Sequence, residues 1–207
     1  MKRRRVENLL ALAVLSYLSQ RPMHPYELGR VLREHGDARS IKYNHGSLYM
    51  VFQQLAKAGF VAEQETTRSG QRPERTVYAI TASGRQEMRD WLRQLIEEPR
   101  HEYPHFVAAL SLIAALPPDE VVELLRNRAR RLAVERDETR RLIADTLSAG
   151  VHPLFLVEEE YRLALLDAEA AFLDSFVERI TDPQTGWAPQ WREFHGGQRP
   201  TEGGQDS

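Results

Sequence analysis

Cysteine is absent from all 207 residues. Its absence excludes disulfide frameworks, thiolate metal sites and cysteine nucleophiles. Long apolar runs are missing too: no stretch approaches the roughly 20 apolar residues that span a bilayer as a helix. The start, Met1-Lys2-Arg3-Arg4-Arg5, is basic, but Glu7, Asn8 and Ser16 interrupt the apolar segment behind it and no small-residue cleavage site follows. No signal peptide is expected, and the cytoplasm is the expected location. Glycine-rich phosphate loops are also lacking, since the one basic turn, Arg68-Ser69-Gly70-Gln71, holds a single glycine. No nucleophile–base constellation stands out, so no catalytic residue is assigned and no enzyme is expected. His101 and His105 have the spacing of two ligands on a helix, but Pro104 falls between them. No metal site and no cofactor are expected.

A net charge of −2 gives little reason to expect a nucleic-acid partner. The distribution changes that. Residues 1–81 hold 13 Lys+Arg against 7 Asp+Glu, whereas residues 82–207 hold 15 against 23. A basic half joined to an acidic half points to a nucleic-acid surface on the first and a different task on the second.

The stretch 44–80 organises the rest. Asn44 has the chemistry of an N-cap and Gly59 that of the left-handed residue closing a helix, with about four turns between them. Leu48, Val51, Phe52, Leu55 and Ala58 recur at helical spacing and mark the buried face. The opposite face carries Gly46, Tyr49, Met50, Gln53 and Lys57, with no acidic residue. Two strand-like runs follow, Val61–Thr67 and Thr76–Thr81, joined by a turn-rich, arginine-bearing tip. A polar helix face beside a basic hairpin suits duplex DNA, with the helix in the major groove and the hairpin on phosphate.

Before this stretch, the pattern predicts helices over Val6–Ser19 and from Pro25 to about Glu34, with Tyr26, Leu28, Val31 and Leu32 as the apolar set of the second. After it, Thr81 caps a helix over Ala82–Glu98 that Pro99 stops. Residues 105–181 read as helical throughout: Phe106–Leu116, then Asp119–Ser148, then Leu154–Ile180. The last carries a near-heptad seam of Val157, Tyr161, Leu165, Ala168, Phe172, Phe176 and Ile180. Two helices of about 40 Å cannot bury such seams alone, so a second copy of the chain is expected against them. The tail from Asp182, rich in Gly, Pro and Gln, is expected to be disordered, although Trp187, Trp191 and Phe194 are odd there.

The fold class expected is mainly α: an N-terminal winged helix–turn–helix of three helices plus a β-hairpin, with a C-terminal antiparallel helical dimerisation domain. The boundaries expected are 1–98, 99–181 and a tail over 182–207. Candidate DNA-contacting residues are Lys42, Asn44, His45, Ser47, Tyr49, Gln53 and Lys57, with Arg68, Arg72 and Arg75 at the hairpin holding phosphate. Trp91 is preferred as an ordinary core or dimer-interface residue, the other reading being a flat wall for a planar ligand between subunits.

Four segments in order resemble one family: Pro22-Met23-His24-Pro25-Tyr26-Glu27-Leu28, Asn44-His45-Gly46-Ser47-Leu48-Tyr49, Leu55-Ala56-Lys57-Ala58-Gly59-Phe60-Val61 and Val77-Tyr78-Ala79-Ile80-Thr81-Ala82-Ser83-Gly84-Arg85. They are similar to the P-M-H-G-Y-E-L, S-x-G-T-L-Y, L-x-x-x-G-L-[LIV] and Y-x-[LI]-T-x-x-G-[RK] motifs of the PadR transcriptional regulators, over about residues 8–96. Pro25 replaces the family's usual glycine, Asn44 its frequent serine and Ser47 its frequent threonine, all compatible with helix starts. The resemblance implies a homodimeric winged-helix repressor on double-stranded DNA with an inverted-repeat operator, released by a small, frequently aromatic, effector. The rival expectation is a winged-helix protein-interaction adaptor that binds no DNA and works through its acidic helical half.

Overall fold

The computed structural model describes residues 8–64 and 76–196. The chain divides into two compact units, 1–101 and 102–207. By this division the first carries 17 basic against 11 acidic residues and the second 11 against 19.

The first unit is built around α1 (Leu9–Leu18). Leu10 through Leu15 and Leu18 are all buried, so this helix is wrapped on every side rather than amphipathic. Asn8 caps it by accepting from the Leu10 N–H at 2.9 Å. The predicted start at Val6 lies outside the described residues. Pro25 occupies N1 of α2 (Pro25–Glu34), where its missing N–H removes nothing from the helix ladder, and His24 caps by accepting from the Tyr26 N–H. A 3-10 turn at Asp37–Arg39 follows α2. Tyr17 anchors it, donating to Asp37 Oδ2 at 2.6 Å. Burial and the Asp37 carboxylate together push the Tyr17 hydroxyl far above the usual phenol range.

Then come α3 (His45–Lys57), β1 (Val61–Gln64), β2 (Val77–Ile80) and α4 (Ala82–Glu97). The strands pair antiparallel, Val61 opposite Ile80 and Gln64 opposite Val77. Met23 adds a single bridge on the far side, exchanging both backbone bonds with Tyr78 at 3.0 and 3.1 Å. The hairpin thus becomes a minimal three-stranded sheet tied to the turn before α2. Of the predicted strand runs, residues 65–67 lie outside the described residues. The junction from β1 to α4 hangs on Thr81, whose hydroxyl caps α4 at Gly84 N–H (3.0 Å) and donates to Gly59 O (2.8 Å).

The second unit pairs α6 (Pro118–Ser148) with α7 (Val157–Thr181). Val121, Leu125 and Leu132 of α6 meet Leu166, Leu173, Phe176 and Ile180 of α7 in one core. Ion pairs run along the seam, with Asp167 bound by Arg136 (2.7 Å) and Arg140 (2.9 Å) and Glu169 by Arg128. The predicted helix over Phe106–Leu116 is instead α5 (His105–Ser111) followed by a 3-10 turn, because Leu112 leaves helical dihedrals (φ −113°, ψ 5°). The predicted start of the last helix is also a 3-10 turn, Pro153–Leu156.

The tail expected to be disordered from Asp182 is ordered to 196. Asp182 Oδ1 accepts from the backbone N–H groups of Gln184 and Thr185 (2.8 and 2.6 Å), which holds its carboxyl below the usual range. Gly186 then lets the backbone close on itself, since a Cβ there would fall 2.3 Å from Asp182 O. Helix α8 (Ala188–Gly196) follows, its Ala188 and Trp191 packed into the core of the unit. Residues 197–207 lie outside the described residues.

Candidate nucleic-acid interface

Helix α3 starts in a capping box. Asn44 Oδ1 accepts from the Ser47 N–H and Ser47 Oγ accepts from the Asn44 N–H, both at 2.8 Å. It ends at Gly59, whose φ of 78° is the left-handed closure read from the sequence. Leu48, Val51, Phe52 and Leu55 are at most 2% exposed. Phe52 packs on Tyr78 of β2 with ring centroids 5.0 Å apart, fixing the helix against the hairpin. Tyr78 itself donates to Glu63 at 3.4 Å, and burial together with that carboxylate raises its hydroxyl above the usual phenol range.

The inner face being fully engaged, the outer face is free for a partner. His45, Tyr49, Gln53 and Lys57 follow one another at intervals of four and are all exposed. They form one stripe along the helix, and α3 contains no acidic residue. Lys42 is exposed just before it. Asn44 and Ser47, counted among the contacting residues in the sequence reading, hold each other as the cap. Their role in the structure is to set where the stripe begins. Arg68, Arg72 and Arg75 lie outside the described residues.

Two side chains that the sequence reading did not assign to this surface join it. Tyr26, counted there as an apolar position of α2, is 55% exposed. Its ring stands edge-on to His45 (6.2 Å), and His24 stands edge-on to Tyr49 (6.1 Å). His45 and Tyr49 themselves touch at 5.0 Å. The starts of α2 and α3 therefore share one exposed aromatic–imidazole platform. The motif Pro22–Leu28 held the only sequence signal for it, because Pro25 at N1 places His24 and Tyr26 in the first turn.

The arrangement offers hydrogen-bond donors and acceptors, flat rings and one lysine on a rigid convex helix. It offers no cleft and no acid–base pair. Among the described residues no group of His, Cys, Asp and Glu is placed to hold a metal ion, and no helix is long and apolar enough to cross a membrane. Trp91 is 3% exposed within the first unit's core, packed in the same cluster as Leu15 and Phe52. The reading of Trp91 as an open wall for a planar ligand is therefore corrected: it is a core residue.

Comparisons agree with this geometry. Residues 14–90 match the model of the family described as "Transcriptional regulator PadR-like family". The "Negative transcriptional regulator PadR" of Bacillus subtilis (strain 168) is 27% identical over 124 residues, 59% of this chain and 66% of that protein, just under two thirds of its length. Among solved structures, Bacillus subtilis PadR in complex with operator DNA superposes with a TM-score of 0.68 at 20% identity, over 82% of this chain and 98% of that one. The same protein with p-coumaric acid gives 0.65 at 18% identity, over 82% and 94%. BC1756, a PadR-like regulator from Bacillus cereus, gives 0.56 at 15% identity, over 82% and 96%. At these identities the structural matches speak for the fold.

Proposed function

The chain belongs to the PadR-like family of transcriptional regulators, and from that premise we propose that it is a homodimeric, sequence-specific DNA-binding repressor released by a small aromatic effector. The observation that carries the reading is the acid-free stripe of α3, exposed along its length and standing on a fully buried opposite face. A helix held so firmly and left so bare is built to enter a groove. His45, Tyr49, Gln53 and Lys57 are the residues assigned to the groove, with Lys42 at its edge and Asn44 and Ser47 fixing the helix start. Arg68, Arg72 and Arg75 are assigned to phosphate on charge alone. The platform of His24 and Tyr26 widens the same surface. The relatives' operator complex and p-coumaric acid complex support the DNA and effector parts of the proposal, and a cytoplasmic location is proposed with them.

Dimerisation through the 99–181 region rests on α7. Its inward heptad, Glu159, Leu166, Leu173 and Ile180, is buried within one chain. Its outer seam is not: Val157, Tyr161, Leu165 and Phe172 are between 38% and 67% exposed. Such a stripe, spaced four, four and seven residues along one face of the helix, fits a second copy of itself across a two-fold axis, which in turn fits an inverted repeat. Selection of bound duplexes from a random pool tests the whole reading. An inverted repeat, bound with an affinity that falls steeply as salt rises, is expected. Absence of enriched duplexes at low salt refutes it.

A further inference from the structure

Helix α3 exposes an apolar side chain, Met50, in the middle of its acid-free face. Wound at 3.6 residues per turn, the helix turns Leu48, Val51, Phe52 and Leu55 to the core. Gly46, Met50, Gln53 and Lys57 then fall within about 30° of the point directly opposite. His45 and Tyr49 stand toward one edge, where they meet Tyr26 and His24. The residues farthest from the core are those that go deepest into a groove, and Met50 is among them. It is 60% exposed, against 36% for Tyr49.

A single exposed apolar residue is ordinary on a protein surface. Two observations set this one apart. Met23 is buried and Met88 packs against the core of the unit, whereas Met50 belongs to no core cluster. Gly46, one turn earlier on the same face, has no reason within the fold to be glycine. Its φ is not positive. Beyond its chain neighbours and its own helix backbone, a Cβ there would meet only Asn44 Oδ1 at 3.5 Å, an ordinary contact. Glycine weakens a helix relative to alanine. A bare step with no internal cause, next to an uncovered thioether, suits a surface that something approaches closely from outside. The surrounding Gln53 and Lys57 and the lack of acidic groups fit a polyanion. In the major groove of duplex DNA, the apolar group on a base edge is the 5-methyl of thymine. An unbranched, polarisable methionine adapts well to a single methyl group.

We propose that Met50 packs on the 5-methyl group of one thymine in each half-site, with Gly46 letting the base edge come against the backbone of α3. The inference rests on the DNA-binding reading and adds the residue that selects a thymine. Affinity for phosphate stays with the basic residues, while this contact contributes to sequence choice.

The test uses full-length protein and a duplex that it has itself selected from a random pool. Each thymine is replaced in turn by deoxyuridine, which removes the 5-methyl group and leaves the base pairing in place. At one thymine per half-site the replacement should weaken binding about fourfold, as burial of one methyl group allows. Met50→Ala should keep the parent's melting temperature and lose that discrimination. Met50→Leu, which restores an apolar contact, should regain it. Gly46→Leu should fold as the parent does and bind the duplex about tenfold more weakly or worse, because the close approach is blocked. Two results would overturn the Met50 assignment while the DNA-binding reading stands: a selected duplex that tolerates deoxyuridine at every thymine, or a Met50→Ala protein that still tells thymine from deoxyuridine. Unchanged affinity in Gly46→Leu would overturn the close approach. If no duplex is enriched, the DNA-binding reading falls and this inference falls with it.

Discussion

Gly84→Ala should lower the melting temperature of the first unit by about 10 °C, although alanine is the better helix former. Gly84 is the third residue of α4 and is buried. A Cβ there would lie 2.0 Å from the carbonyl oxygen of Phe60 and 3.0 Å from Ile80 Cγ1. Carbon and oxygen need roughly 3.3 Å, so the start of α4 and the start of β1 must part by about 1 Å. Phe60 O accepts from the Thr81 N–H (3.0 Å), and that bond stretches; the Thr81 hydroxyl, whose one proton goes to Gly59 O at 2.8 Å, only comes within 3.1 Å of Phe60 O. Losing that one net hydrogen bond costs about 1 kcal/mol, and overpacking against rigid backbone adds about 2 kcal/mol. The helix-propensity gain of alanine offsets about 1 kcal/mol at most. The net of about 2 kcal/mol corresponds to roughly 10 °C in a unit of this size. The assay is a thermal melt read by Trp91 emission in a Trp187→Phe, Trp191→Phe background, because Trp91 then reports the first unit alone. Gly29→Ala is the control. Its Cβ would meet only side-chain ends, Leu48 Cδ2 at 3.2 Å and an Arg33 guanidinium nitrogen at 3.9 Å, so no more than a small change is expected. A Gly84→Ala melt within about 2 °C of the parent would refute the reasoning.

Three further outcomes are expected. Tyr49→Ala, on a 36% exposed ring, should weaken binding to the selected duplex roughly 5- to 150-fold, the range of about 1–3 kcal/mol for a base contact, with an unchanged melt; unchanged affinity counts against the α3 assignment. Leu165→Asp, on a 53% exposed position, should shift sedimentation toward single chains while far-ultraviolet circular dichroism stays helical, and a persistent dimer would refute the α7 seam. Hydrogen bonding to Arg192 holds the Asp119 carboxyl below its usual range, so its stabilising contribution is present above the ordinary carboxylate pKa and fades as pH falls through the lowered folded value. Emission of Trp187 and Trp191 in a Trp91→Phe background should therefore report α8 loosening below about pH 4, and Asp119→Asn should remove that step.

What could be read in the sequence was local. Asn44, Gly59 and Thr81 mark element ends through chemistry that acts within three or four residues, so α3 and the start of α4 were legible to the residue. The order of residues 182–196 was not. Its composition resembles a loose tail, and what orders it is a pair of backbone bonds to Asp182, one glycine contact and an ion pair reaching back 73 residues to Asp119. No periodicity announces such a long-range tie. Trp91 left two readings open and Tyr26 was read on the wrong side for one reason: a lone aromatic at helical spacing does not say which side of its helix is covered. Trp91 proved to be core and Tyr26 surface.

The two exposed faces that carry the functional reading arise from different physics. In the first unit α1 is buried along most of its length, so α3 needs to bury fully only Leu48, Val51, Phe52 and Leu55, with Ala56 packed beside them, and can leave the rest of its circumference exposed without loss of core. Its free face is a by-product of a well-filled core, and substitutions there should leave folding alone. In the second unit α7 has more apolar surface than α6 can cover: the set Leu166, Leu173 and Ile180 is buried, while Val157, Tyr161, Leu165 and Phe172 stay exposed. An uncovered stripe of that kind favours association through apolar burial in the range of about 25 cal/mol per Å². Charge should therefore be tolerated on α3 at the expense of recognition, whereas charge on the outer seam of α7 should act on assembly first and on duplex affinity only through the lost second copy.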